Sequence, residues 1–469
     1  MRATKVFVYW GYFIIGVSDM YLTFSINQDM YHMDFDVPDI EAWSILIFSP
    51  WIVKAALGLI SDYVGIAGYH RKPYIVTSYA VSAVLNALLA TRERIPSYYI
   101  PTMFFLQMAL CWADIIVDAL ASKDCRLEQG GDKETYIITG FIVRVVGNMV
   151  GLIISGRLYD AKGSSERVFT SFSVICGMQF MLCMVHPWYD TATKPATIAP
   201  LEPNDGEEDG ASDHREEGPR KLALASICST CSFSKYPILA NKWYVQLLVL
   251  NIVIGFIPTP GAGYFFYLTS VMGYTATTFS NMQVVACAAR IAMLVLYKRV
   301  LRHKGIRTTY LVIQIIDACI AFFPALLVSG AYRDIGIPPI VFVLSGKVLD
   351  SALTDVRLQP VHIMNNVAAT VGTEAAILQV THTALNATGL LVGLIESALL
   401  RAFGINHGDF DGLFNLILTC GTLEMIVPVV CIFVLLPARH TTIADIRRKM
   451  EPIPVSVSPE EAGSGVIEI

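Results

Sequence analysis

The sequence predicts an all-α membrane protein: twelve transmembrane helices in two pseudo-symmetric bundles of six. Three observations predict it. Of 469 residues, 54% are hydrophobic and only 16% are charged, against about a quarter charged in soluble domains. The apolar residues gather into twelve windows, each near the roughly 20 residues that carry a helix through a bilayer core of about 30 Å. The bases left outside those windows concentrate in alternate loops, as the orientation of a multi-pass protein requires.

Spans 1 to 6 lie near 6–26, 42–60, 74–91, 98–121, 135–156 and 168–186. Spans 7 to 12 lie near 243–270, 278–297, 309–329, 337–354, 373–400 and 413–437. The opening stretch MRATKVFVYWGYFIIGV enters span 1 without a small-residue cleavage site, so it reads as a membrane helix rather than a signal peptide. The chain therefore divides into an N-terminal bundle (1–186), a linker (187–241), a C-terminal bundle (242–437) and a tail (438–469). The linker holds eight acids between 202 and 217 and almost nothing apolar there, a composition that predicts disorder. The tail is similarly polar, with a short basic surface helix expected through Arg447-Arg448-Lys449.

With the N-terminus inside, the inward loops and tails hold 23 Lys or Arg, the outward loops seven and the spans four. RHKGIR in an inward loop contrasts with the base-free DMYHMDFDVPD between spans 1 and 2. The positive-inside rule then puts both termini, the linker and the tail in the cytosol. A net charge of −5 offers no basic field for nucleic acid. Ten cysteines scattered mostly through apolar runs argue against a disulfide framework, and Cys228-x-x-Cys231 lacks the second half of a zinc site. No metal or cofactor is expected. Neither H-E-x-x-H nor G-x-S-G occurs, which sets the intramembrane-enzyme class aside.

Charges inside the spans carry the functional signal. The bases are Lys54, Arg144, Arg290 and Lys347; the acids are Asp19, Asp114, Asp118, Asp317, Asp350, Glu396 and Glu424, with Glu374 at a span edge. A central charge costs about 2.5–3.5 kcal/mol on insertion scales, so the set would cost roughly 30 kcal/mol unpaired. They must pair, face water or both. Taken singly, each charge can be no more than a tie between helices; as a set they read as a polar pathway. Asp114 and Asp118 lie four apart on one helical face, where mutual repulsion suits one of them to carry a proton. Asp317 in span 9 and Glu424 in span 12 have no evident role.

Two further features stand out. In span 7, IGFIPTPGAGYFFYLTSVMG places Pro258, Pro260, Gly261 and Gly263 mid-span, which predicts a break of a kind tolerated only against protein or a wet cavity. Phe265, Phe266 and Tyr267 follow, ready to stack on a flat ligand or to face lipid. Spans 5 and 11 share a spacing, Arg144-x-x-Gly147-x-x-x-Gly151 and Asn386-x-x-Gly389-x-x-x-Gly393, which suits close helix packing and also an internal repeat.

Pro50-Trp51-x-x-Lys54, Gly58-Leu59-Ile60-Ser61-Asp62 and Gly68-Tyr69-His70-Arg71-Lys72-Pro73-Tyr74 resemble the folate–biopterin transporter family, a branch of the major facilitator superfamily. Ala113 through Asp114 and Asp118 to Leu120 is similar to its fourth-span motif, and Pro260 to Tyr274 to its seventh. Gly372-Thr373-Glu374-Ala375, Asn386 and Phe410-Asp411-Gly412-Leu413 are similar to its late segments. The chain departs from the pattern at Lys123 and at Ser345-Gly346-Lys347.

The resemblance implies the major facilitator fold and a secondary transporter of folates, pterins or related compounds working by alternating access, with protons as a candidate coupling ion. It implies a cytosolic latch at Asp62, Arg71 and Lys72. Lys54, Arg144 and Arg290 would bind carboxylates, and Lys54 would face the central cavity. Asp114 or Asp118 would bind a ring amino group or a proton, and Phe265, Phe266 or Tyr267 the ring face. Lys347, Asp350, Glu374 and Asn386 complete the candidate site. The alternatives are a facilitator for S-adenosylmethionine, a sugar, an amino acid or a drug. The plasma membrane is the expected location.

Overall fold

The computed structural model describes residues 2–127, 133–161, 164–186, 242–368, 374–406 and 408–436, with Thr441, Thr442 and Asp445. The predicted linker, Cys228 and Cys231 within it, and nearly all of the tail lie outside the described residues.

Among the described residues, nine helical stretches are long and apolar enough to cross a membrane, and they answer to spans 1 to 6, 9, 11 and 12. Three more rods fill the remaining places: a broken span 7 (Lys242–Gly255 and Gly261–Ser270), span 8 (Ala276–Arg299) and span 10 (Pro339–Ala368). The described helices are thus consistent with twelve spans in two sets of six. Large apolar side chains such as Phe105, Met178 and Val434 stand exposed on the outer faces, where a bilayer supplies the solvent that a soluble protein would lack.

Several rods are interrupted where the sequence removes backbone donors or crowds the turn. Pro50 sits in a 3-10 turn, Ser49–Val53, that delivers Lys54 to the start of the second half of span 2. Span 7 stops at Gly255 and restarts at Gly261, the break the proline-glycine run predicts. Span 9 divides ahead of Phe323-Pro324, and span 1 at Leu22. The largest boundary difference from the sequence reading falls in span 10. Span 10 continues well past 354 to Ala368, so Asp355 and Arg357, expected in a loop, lie inside a helix.

Within the N-terminal half, spans 1 and 5 pack backbone to backbone. A Cβ on Gly147 would fall 2.1 Å from the Phe13 carbonyl oxygen, and one on Gly16 2.0 Å from that of Arg144. Gly151 lies similarly close to Val17. The glycine spacing of span 5 is therefore a packing device. Its counterpart in span 11 is split: nothing stands within 4 Å of a Cβ built on Gly389, whereas one on Gly393 would lie 3.2 Å from Glu41 Oε1 and 3.3 Å from Ile45 of span 2. The two halves meet along two seams, span 5 against span 8 and span 2 against span 11.

Candidate functional site

A cavity of about 700 Å3 lies mainly in the C-terminal half, walled by spans 7 to 12 and closed on its other side by spans 1 and 5. That volume falls within the range of small-molecule sites, about 300–1,000 Å3. The N-terminal half holds a smaller void of about 100 Å3 beside Asp19. The asymmetry follows from the local backbone: the span 7 break and the bare Gly389 leave room that the glycine-tight contact of spans 1 and 5 does not.

Phe24, Phe265 and Phe279 form an aromatic wall of the cavity. The Phe265 ring centroid is 5.8 Å from that of Phe24, edge to face, and 5.0 Å from that of Phe279. Asp317, Lys347, Asp350, Arg357, Glu396 and Glu424 supply the charged part. Asp317 lies 3.3 Å from Arg357 Nη1, and Glu424 Oε1 accepts from Gln314 Nε2 at 2.6 Å. Lys347 and Asp350 form no ion pair among the described residues. Both face the cavity one helical turn apart. The acids of spans 9 and 12 that the sequence left without a role are thus cavity groups.

A second polar assembly fills the N-terminal half. Lys54 pairs with Asp114, whose Oδ1 lies 3.1 Å from Arg144 Nη1, and Arg144 Nε donates to Asp19 at 2.8 Å. The Lys54 ammonium also sits 5.0 Å above the Trp51 ring. Two bases and two acids neutralise one another here. Lys54, expected on the central cavity, is instead 2% exposed, because Asp114 takes its charge within the half.

Asp118 belongs to a third group, which bridges the halves. Tyr12 donates to Asp118 Oδ1 at 3.2 Å and Gln379 Nε2 to Oδ2 at 3.0 Å, with His382 Nδ1 3.4 Å away. His382 in turn meets His362 at 3.4 Å. Arg290 is held by Asp355 through contacts of 2.7 and 3.1 Å, joining spans 8 and 10.

The remaining candidates are dispersed. Phe266 is buried and stacks on Tyr31, and Tyr267 lies edge-on to Phe410. Asn386 donates to the Trp51 carbonyl at 3.2 Å, a tie along the span 2–span 11 seam. The Glu374 side chain lies outside the described residues. In the loop after span 2, Arg71 pairs with Asp62 and donates to Ser61, while Lys72 lies 5.8 Å from the Tyr69 ring centroid.

The fold is that of a membrane transporter of the major facilitator type. The nucleoside transporter NupG superposes with a TM-score of 0.60 at 12% identity, over 92% of this chain and 98% of that one. A D-xylose-proton symporter gives 0.61 at 11% identity, over 93% and 96%. The chain belongs to the BT1 family, whose model matches residues 16–453. Similar proteins include the probable folate-biopterin transporter 4 of Arabidopsis thaliana, 23% identical over 78% of this chain and 82% of that protein. Folate transporter 2 of Plasmodium falciparum is 21% identical over 89% and 85%. The folate-biopterin transporter of Synechocystis is 21% identical over 88% and 77%.

Proposed function

We propose that this protein carries folates or pterins across the plasma membrane by alternating access and that the solute binds in the C-terminal cavity. One observation carries the site: among the described residues, Lys347 and Asp350 face that cavity without ion-pair partners, opposite the aromatic wall of Phe24, Phe265 and Phe279. An uncompensated intramembrane charge is costly, and a ligand bearing both charge types offsets that cost on binding. The amino-substituted ring edge of a pterin donates to Asp350, its face lies on Phe265, and the carboxylates of a folate reach Lys347. Both termini are cytosolic, by the bias of bases among the loops. Asp62 and Arg71 act as a cytosolic latch between states. Asp118, held across the halves by Gln379 and His382, is a coupling group rather than a substrate ligand.

The test is uptake of labelled folate and biopterin into proteoliposomes, with Lys347→Ala and Asp350→Asn beside the unaltered chain. Saturable uptake that both substitutions weaken supports the reading; uptake indifferent to both overturns the site. A second reading has its own observation. Four cavity acids (Asp317, Asp350, Glu396, Glu424) face two bases (Lys347, Arg357), which favours a cationic solute such as S-adenosylmethionine. Competition between the three compounds for uptake separates the two.

A further inference from the structure

The seam between spans 2 and 11 is stitched at one end. Arg401 Nη2 donates to Asp39 at 2.6 Å and Ser397 Oγ to the Pro38 carbonyl at 2.8 Å. Gly393 gives room for the Glu41 carboxyl, whose Oε1 lies 3.2 Å from where a Cβ would stand. There the side chains of Glu41 and Glu396, one from each half, hydrogen-bond to each other. Glu396 also accepts from the Thr259 backbone N–H at 2.6 Å and from Thr259 Oγ1 at 2.8 Å, which ties it to the span 7 break, and it lines the cavity.

Ionised carboxylates accept hydrogen bonds and cannot donate them. A bond between two carboxyl groups therefore holds one proton. Without that proton two like charges face each other across the seam, an arrangement that repels. Among the described residues the base at this end of the seam, Arg401, is engaged by Asp39, and the Glu396 charge also reaches the Cys420 thiol of span 12.

We propose that Glu41 and Glu396 form a proton-dependent clasp that holds the span 2–span 11 seam shut, and that a solute donor group reaching Glu396 in the cavity releases it. This deepens the transport reading and rests on it for the link to solute. On release the proton passes to water, both carboxyls become charged, and the seam parts. Rising pH therefore opens this end of the seam and acid closes it. The cavity and the seam communicate through one side chain, which touches both.

Infrared spectra of the full chain in lipid vesicles, recorded across a pH titration, test the clasp directly. The unaltered chain should show a protonated-carboxyl carbonyl band that falls as pH rises. Glu41→Gln and Glu396→Gln should each remove one carboxyl's share of it, since the amide N–H replaces the proton in the hydrogen bond. In proteoliposomes Glu41→Gln should still exchange labelled for unlabelled solute yet lose accumulation driven by a pH gradient. Absence of a titrating band in the unaltered chain overturns the clasp, as does its persistence at full strength in both variants. So does gradient-driven accumulation that both variants retain. Should the vesicles move neither folate nor pterin, the substrate assignment falls while the infrared result still decides the clasp.

Discussion

Replacing Lys54 with methionine keeps the length of the side chain and deletes its charge, which leaves Asp114 buried with Arg144 as its remaining partner at 3.1 Å. The side chains of Lys54 and Asp114 are 3% and 2% exposed, so water cannot compensate. Removing one member of a buried pair costs about 3–5 kcal/mol, and the surviving Arg144 contact sets the expectation near the lower figure, about 3 kcal/mol. At about 2–4 °C per kcal/mol, the melting temperature of the detergent-solubilised protein should fall on the order of 10 °C. The double substitution Lys54→Met with Asp114→Asn restores neutrality and should recover most of that loss, because a pair removed whole leaves no orphaned charge. Thermal unfolding followed by size-exclusion fluorescence measures both. Since the network lies off the cavity, uptake should return along with stability. The reasoning fails if the single variant melts like the unaltered chain, if the double melts as low as the single, or if stability returns and uptake does not.

Lys347→Ala and Asp350→Asn, which break no ion pair, should leave the melting temperature unchanged; losing a charged hydrogen bond of about 1.5–3 kcal/mol to solute should raise KM for uptake roughly 10- to 100-fold. The leading glycines of the two motifs should behave oppositely: Gly147→Ala drives a methyl against the Phe13 carbonyl and should sharply lower the yield of folded protein, whereas Gly389→Ala has open space and should be produced normally. Asp62→Asn removes the partner of Arg71 and should slow turnover while the protein still reaches the membrane, as surface labelling beside an uptake time course would show. Protease added outside sealed cells should leave the acidic stretch 202–217 intact, and cleavage there would reverse the orientation.

The span architecture was legible because membrane crossing is a matter of length and polarity, both local properties, and because Pro258 and Pro260 announce their break. The end of span 10 was not, since VRLQPVHIMNN is polar for a membrane helix and its pattern is satisfied only by partners such as Asp317 and Tyr310 on span 9. Charge pairing is a long-range fact. Nothing in the sequence tells Asp114 from Asp118, yet four residues along one face bring the first to Lys54 and the second to Gln379 and His382 of the other half. The same limit applies to the glycine spacings of spans 5 and 11, which say which face is small but not what stands opposite. One signal was available and unused: successive helical residues point about 100° apart, so Phe265, Phe266 and Tyr267 could not all face one ligand, and only Phe265 meets the cavity.

Spans 7, 8 and 10 are the rods too short or too polar to stand among the nine self-sufficient ones, and all three belong to the C-terminal half. This bears on how the chain is made. Arg290 and Asp355 each resist entry into lipid alone, at about 2.5–3.5 kcal/mol apiece, but joined they present a neutral pair. They are separated by 65 positions, with the strongly apolar span 9 between them. Entering the bilayer together, spans 8 and 10 would carry a neutral pair instead of two separate charges. The ion pair thus makes the polarity of each of these two rods a property of both, settled only once span 10 stands beside span 8.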